Sequence, residues 1–145
     1  MSRIIHTQGT PTTQRNRLRR TIAEALRRLM QKSSVDKESK DLAALIAFAL
    51  REIDAVIDAS ASAWEKRDYY LKADRFRREW SWVAPAERLL SNALIDHRWN
   101  ELPVICAQLL PHFQDIHVAK MTRSPELWDG AFQRLIDEYR AGNGD

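Results

Sequence analysis

The residues best suited to proton transfer are three histidines and two aspartates in the second half of the chain. Asp96 adjoins His97, and Asp115 lies two residues before His117, with His112 nearby. A carboxylate that orients an imidazole is a common arrangement for general acid and base catalysis, so these five residues are the candidates for an enzyme site. Nothing in their spacing brings them into one cleft. The main expectation is therefore a structural or surface role for the histidines, and no catalytic residue is assigned.

Metal-binding patterns do not occur in the sequence. Di-iron helical bundles use a glutamate three residues before a histidine, whereas arginine, leucine or glutamine stands at that position before each of the four histidines. There is no HExxH motif and no glycine-rich phosphate loop. Cys106 lies in the apolar run 104–107, which favours a buried, unreactive thiol. The sequence predicts no metal, no cofactor and no cysteine nucleophile.

Basic residues are concentrated at the start of the chain. Residues 1–34 hold eight arginines and lysines and one glutamate, a net charge of +7, and residues 35–145 carry a net charge of −4. Such an asymmetry favours docking on an acidic surface, and arginine suits the paired oxygens of carboxylates and phosphates. The predicted binding residues of this basic segment are Arg15, Arg17, Arg19, Arg20, Arg27 and Arg28. The alternative is that the acidic remainder of the same chain neutralises them.

Residues 64–82 interleave six aromatic residues with six cations and four anions. Aromatic rings stack on bases and cations contact phosphates, so the segment could bind a single-stranded nucleic acid. The stronger interpretation is structural, because Tyr69, Phe76 and Trp80 share one helical stripe as core residues do. Three aromatic residues lie off that stripe and are predicted to form an interface, first of all with a second copy of the chain. They are Trp64, Tyr70 and Trp82.

The elements that position these residues are helical. Thr10 and Pro11 start a first helix over residues 10–33, after a lead-in at residues 1–9, and Leu18, Ile22, Ala25, Leu26 and Leu29 form its apolar stripe. Residues 36–84 contain neither glycine nor proline. A single helix of that length would measure roughly 70 Å, and its apolar stripe changes sides around residues 60–68. A continuous rod is preferred over a break because no glycine is present to end the helix.

Prolines and polar caps divide the rest of the chain. Pro85 marks the start of a third helix that runs to about Arg98. Asn100 is expected to cap a fourth helix that Pro111 kinks or ends, while residues 114–123 have no clear pattern. Ser124 and Pro125 signal the start of the last helix, which contains Gly130 and stops at Gly142.

Composition fits one helical domain over residues 1–145, with a bundle body at residues 34–141. Four glycines in 145 residues argue against a turn-rich β-fold, so the fold expected is all-α, a bundle of four to five mainly antiparallel helices. One cysteine excludes an internal disulfide. Together with the lack of a signal segment or membrane span, it favours a cytoplasmic protein.

The function expected from these patterns is a non-catalytic interaction or assembly protein that presents an arginine-rich amphipathic helix to an acidic partner and forms a homo-oligomer. The alternative is an RNA- or DNA-associated accessory protein, in which the arginines contact phosphates without reading a sequence. An enzyme with a histidine and carboxylate site is the third hypothesis.

Overall fold

The computed structural model describes residues 9–143, of which 76% are helical, and no β-strand occurs among them. The helices are α1 (Pro11–Met30), α2 (Lys37–Lys66), α3 (Tyr70–Glu79), α4 (Val83–Ile95), α5 (Leu102–Leu109) and α6 (Ala131–Gly142). Short 3-10 turns occupy Trp99–Glu101, Leu110–Phe113 and Pro125–Leu127. Five of the helices have ten or more residues, and the predicted all-α bundle of four to five helices is confirmed. The expected lead-in lies outside the described residues except for Gly9.

α2 is the central helix, because α1, α3, α4 and α6 all pack against it. Every residue from 41 to 50 is buried, as expected for a helix that other helices surround. Buried side chains of α1, α2, α4, α5 and α6 form one hydrophobic cluster around it. Within residues 9–143, no helix combines the length and the apolar character needed to cross a lipid bilayer.

α1 begins where the sequence predicts. The hydroxyl of Thr10 accepts a hydrogen bond from the backbone N–H of Thr13 at 3.1 Å, and Pro11 takes the first helical position. The predicted stripe is buried at Leu18, Ile22, Ala25 and Leu26. The helix ends at Met30, before the expected limit near Ser33.

The continuous helix preferred for residues 36–84 is wrong. The chain turns at residues 67–69, and α3 packs back against α2 before a second turn leads into α4. The break follows the region in which the apolar stripe changes sides, since Ala61 is the last buried residue of α2 and the next is Ala73 in α3. A helical hairpin lets both stripes face the same core, which a straight rod could not do.

A Schellman motif ends α2 without a glycine. The N–H of Tyr69 donates to the carbonyl of Trp64 at 2.9 Å, and the N–H of Asp68 donates to the carbonyl of Glu65 at 3.0 Å. Asp68 takes the left-handed position of the motif, with a φ of 66°. Aspartate adopts this conformation more readily than most residues, so it can end the helix in the position that glycine usually takes.

The helix starts inferred from proline and polar caps are partly wrong. Pro85 lies inside the first turn of α4 instead of preceding the helix. Asn100 does not cap α5, which begins two residues later. Of the two outcomes expected at Pro111, the α-helix ends before it, and a 3-10 turn follows over Leu110–Phe113. Ser124 caps only a 3-10 turn, and Gly130 (φ 79°) precedes α6 in a left-handed conformation instead of lying within a helix.

Candidate interaction surfaces

The side chain of Glu24 in α1 is fully buried and binds the backbone of a distant loop. Its Oε1 atom accepts hydrogen bonds from the N–H groups of Thr122 (2.7 Å) and Arg123 (3.2 Å). Its Oε2 atom accepts from the Thr122 hydroxyl (2.6 Å) and from Nε of Arg20 (2.8 Å). Burial alone would raise the pKa of Glu24, but these hydrogen bonds outweigh it and hold the pKa at about 2. The ionised carboxylate thus fastens this loop to α1.

Two arginines of α1 hold the earlier part of the same loop. Arg19 forms a two-point ion pair with Asp115, at 2.7 and 3.0 Å, and also donates to the carbonyl of His112 at 2.9 Å. Arg20 donates to the carbonyl of His117 at 2.9 Å. The hydrogen bonds from Arg19 lower the pKa of Asp115, because the guanidinium stabilises the charged carboxylate. We call residues 110–123, which α1 fixes in this way, the bound loop.

Half of the predicted basic binding residues are therefore engaged with carboxylates of the same chain. Arg19 and Arg20 pair with acidic residues as described, and Arg28 pairs with Glu38 at 3.1 Å. Internal neutralisation, the alternative left open by the sequence, accounts for these three arginines. They do not form the open cationic face that an arginine-rich helix suggests.

The other three basic residues of α1 have different surroundings. The guanidinium of Arg15 lies over the rings of Phe76 and Trp80, at 5.4 and 5.2 Å from their centroids. Arg17 and Arg27 are exposed. The side chain of Arg27 forms no hydrogen bond or ion pair within residues 9–143. Since none of these residues pairs with it, the guanidinium of Arg27 can bind a group from outside the chain.

An apolar groove of about 460 Å³ lies between α1 and the bound loop. Its apolar lining consists of Ala23, Leu26, Met30, Leu110, Phe113, Ile116 and Val118. Its polar lining consists of Arg27, Gln31 and Gln114. Met30 is 50% exposed at its edge. We call this surface the α1 groove; Glu24, Arg19 and Arg20 set the position of its far wall.

A smaller cavity of about 200 Å³ adjoins the α1 groove at Met30, between the end of α1 and the start of α5. Cys106 lines it, although its side chain is almost completely buried. Burial raises the pKa of the Cys106 thiol to about 11, which keeps it protonated near neutral pH. The buried position expected of this cysteine is confirmed.

Two of the three aromatic residues predicted to form an interface are partly buried within the fold. Trp64 is half-buried against Phe76, with ring centroids 4.9 Å apart, and Trp82 stacks on His112 at 3.7 Å. Both are therefore only partly accessible to a partner, because Phe76 of α3 and His112 of the bound loop pack against them. Tyr70 is exposed as predicted. Tyr69, predicted to lie in the core, is exposed beside it because the chain turns there.

Sequence reasoning missed the two buried carboxylates that organise the loops. Besides Glu24, Asp41 in α2 accepts hydrogen bonds from the N–H groups of Gly130 (3.2 Å) and Phe132 (3.0 Å), which fixes the start of α6. The sequence contains a feature that could have identified each of these two carboxylates. Glu24 is the only anion among residues 1–34 and stands between two alanines, and Asp41 directly precedes the apolar run 42–50.

The histidine rings lie in separate surroundings. His97 stacks on Trp99 with a centroid distance of 5.1 Å, and it takes the left-handed position (φ 57°) at the end of α4. His112 stacks on Trp82, and burial lowers its pKa. His117 is exposed. The structure therefore does not bring the three rings together.

The aspartates proposed as their partners bind arginines instead. Asp115 pairs with Arg19 as described, and Asp96 pairs with Arg98 at 3.4 Å. No group of three histidine, cysteine, aspartate or glutamate side chains in the described part of the chain could hold a metal ion. The candidate functional features are therefore the surfaces described above, which could bind another molecule.

The chain was compared with protein families, with curated proteins and with solved structures. No protein-family model, no curated protein and no solved structure matches the chain.

Proposed function

We propose that this protein is a non-catalytic interaction module whose α1 groove binds an apolar, acidic segment of a partner protein. The observation that carries the proposal is the pair of Met30 and Arg27 at the edge of an apolar depression. Met30 is a large apolar side chain that is half-exposed, and Arg27 forms no ion pair with any residue from 9 to 143. Grooves of this kind between helical elements accept the apolar face of an amphipathic segment.

The chemistry of the lining indicates what the segment carries. Seven of the ten lining residues are apolar, and Arg27 is the one charged residue among them. Two or three large apolar side chains of a partner would pack against the groove walls, because such anchors supply most of the energy of an interface. A carboxylate beside them would pair with Arg27, whose guanidinium can donate two parallel hydrogen bonds.

Two other kinds of ligand have less support. The cavity beside Met30 has a volume of about 200 Å³, below the roughly 300–1,000 Å³ that is usual for sites of small molecules. The α1 groove, at about 460 Å³, falls within this range but is open at the surface, whereas such sites usually enclose most of their ligand. Nucleic-acid binding needs several guanidinium groups free to contact phosphates. Arg19, Arg20 and Arg28 are already paired with carboxylates.

The test is selection from a library of random displayed peptides on the immobilised full chain, followed by affinity measurement with the enriched peptides. We expect these peptides to combine large apolar residues with aspartate or glutamate. The variants Met30→Glu and Arg27→Glu should each weaken binding at least about tenfold, in line with the loss of one interface anchor or one charge pair. A peptide whose acidic residue is changed to lysine should bind Arg27→Glu better than it binds the wild type.

The controls are exposed residues away from the groove. Leu89→Glu matches the change at Met30, and Arg88→Glu matches the change at Arg27, because both lie on α4 and outside the groove lining. Both controls should bind the peptides as the wild type does. Peptides that bind Met30→Glu as well as the wild type would refute the proposal. Light scattering measures the oligomeric state. If the wild type forms dimers and Met30→Glu does not, the occupant of the groove is a second copy of the chain.

A further inference from the structure

The turn between α2 and α3 exposes apolar side chains in succession. Residues 66–72 are all exposed, and Tyr69, Tyr70 and Leu71 retain 48%, 61% and 75% of their accessible surface. Isolated exposed leucines are ordinary on protein surfaces, whereas three consecutive large apolar side chains on a projecting turn are not. We call residues 66–72 the hairpin tip.

Cations surround the hairpin tip. Lys66, Arg67, Lys72 and Arg75 lie within or next to it, and all four are exposed. Lys66 and Arg75 form no side-chain ion pair with any other residue that the structure describes.

Two of the acidic residues near the tip form ion pairs, and a third forms only a hydrogen bond. Asp74 pairs with Arg78 at 2.6 Å, Glu65 pairs with Arg77 at 3.2 Å, and Asp68 accepts a hydrogen bond from the hydroxyl of Tyr70. The charge of Asp68 stands against those of Lys66, Arg67, Lys72 and Arg75, so the tip presents its apolar side chains within an excess of positive charge.

We propose that the hairpin tip docks on the surface of a lipid bilayer that contains anionic phospholipids. Tyrosine favours the boundary between headgroups and acyl chains, because its ring is apolar and its hydroxyl can remain hydrated. Leu71, the most exposed of the three, would enter the outermost acyl region. The flanking lysines and arginines would contact lipid phosphates and carboxylates, as basic residues next to membrane-bound segments do.

The turn is already fixed in the exposed conformation. The two hydrogen bonds of the Schellman motif, at 2.9 and 3.0 Å, hold Asp68 and Tyr69 in place, and the guanidinium of Arg67 covers the ring of Tyr69 at 5.2 Å. Little ordering is needed when the tip binds, which favours association through a small surface.

A second copy of the chain fits the tip less well than a bilayer does. A complete aromatic side chain buries about 150–250 Å², so three partly exposed residues offer roughly 300–400 Å² on one partner. A standard protein interface needs about 800 Å² from each partner. A bilayer needs no complementary patch, since it adapts to whatever apolar surface enters it.

A nucleic acid also fits less well. Base stacking on successive nucleotides requires several free aromatic faces, but Arg67 lies over Tyr69 and the Nζ atom of Lys72 lies 4.3 Å from the centroid of Trp64. Tyr70 is the one ring of the tip over which no cation of the described residues lies. Leu71, the most exposed side chain, has no ring to stack on a base.

The experiment is co-sedimentation of the full chain with vesicles of phosphatidylcholine, with and without phosphatidylserine. We expect binding only to the mixed vesicles, and the binding should decrease as salt is raised, because charge attraction is screened. Tyr70→Ser with Leu71→Ser should reduce the partition coefficient about tenfold or more, as loss of two apolar side chains predicts. Lys66→Glu with Arg75→Glu should reduce it comparably.

The matched controls carry the same changes elsewhere. Leu89→Ser with Val104→Ser alters two other exposed apolar residues, and Arg88→Glu with Arg140→Glu alters two exposed cations outside the tip. Both pairs should bind vesicles as the wild type does. So should Met30→Glu, which separates this proposal from the one for the α1 groove.

A second measurement reports the position of the tip directly. In a Cys106→Ala background, an environment-sensitive fluorophore at Leu71→Cys should brighten on the mixed vesicles, while the same label at Val104→Cys should not. Equal binding of the tip variant and the wild type, or equal binding to both vesicle types, would overturn the proposal. Binding to a single-stranded oligonucleotide that is lost in the tip variant, without vesicle binding, would assign the surface to nucleic acid instead.

Discussion

Glu24 and Thr122 are 98 residues apart in the sequence, yet the carboxylate of Glu24 accepts hydrogen bonds from both the N–H and the hydroxyl of Thr122. A fully buried carboxylate is stable only when such donors replace its hydration. Here four hydrogen bonds do so, and all of them come from α1 or the bound loop. The same contacts place the far wall of the α1 groove.

The first prediction concerns the charge of this carboxylate. Glu24→Gln keeps the shape of the side chain but brings an amide NH₂ against donors that now face an oxygen. We expect the free energy of unfolding to fall by about 3 kcal/mol, as for a buried ion pair that loses one partner. Urea denaturation followed by circular dichroism measures it. Glu126→Gln, at an exposed position, should change stability by less than about 0.5 kcal/mol; similar losses in the two variants would contradict this account.

The second prediction is a loss of stability in acid. The pKa of Glu24 is lowered from 4.5 to about 2 in the folded protein, so its contribution is complete above the unfolded value and is lost as pH falls from about 5 toward 2. The shift corresponds to about 3 kcal/mol. Denaturation midpoints at neutral and acidic pH should therefore differ more in the wild type than in Glu24→Gln. Equal pH dependence in both proteins would rule out Glu24 as a source of the acid sensitivity.

The third prediction concerns the end of α2. Asp68 has a positive φ, a conformation that costs residues with a side chain about 1 kcal/mol relative to glycine. Asp68→Gly should therefore raise the unfolding free energy by about 0.5–1 kcal/mol, whereas Asp68→Ala should lower it, because alanine lacks the local hydrogen bonding that helps aspartate there. Thermal denaturation of the two variants decides the point, and stabilisation by alanine would show that the turn does not persist in solution.

Local patterns predicted much of the fold. The stripe of α1, the cap at Thr10 and the apolar run that becomes the buried half of α2 depend on neighbours within a few residues, and each is found as expected. The end of α5 before Pro111 is also local, since proline lacks the N–H that a continuing helix needs.

The helix boundaries predicted wrongly are those at which the same local sequence signal is compatible with two structures. The lack of glycine favours a continuous helix over a break, although Asp68 and His97 both take the left-handed position that ends a helix. Ser124 and Pro125 do start a helical turn, but it is a 3-10 turn that Gly130 separates from α6.

The site depends on contacts that no local pattern contains. The partners of Arg19 and Glu24 lie 96 and 98 residues away, so sequence spacing could not distinguish a neutralised arginine from a free one. For the same reason, the stacking of His112 on Trp82 could not be inferred from the sequence. Only the assembled bundle separates Arg27, which has no partner within the described residues, from its paired neighbours.

The length of α2 sets the distance between the two surfaces proposed to bind partners. Met30 lies just before the start of this helix and the hairpin tip lies at its end, and 30 helical residues span about 45 Å. A peptide held at one end would leave the other end unobstructed. Both partners could then be bound at once, and the chain would serve as a rigid spacer that holds a captured protein several nanometres from the bilayer.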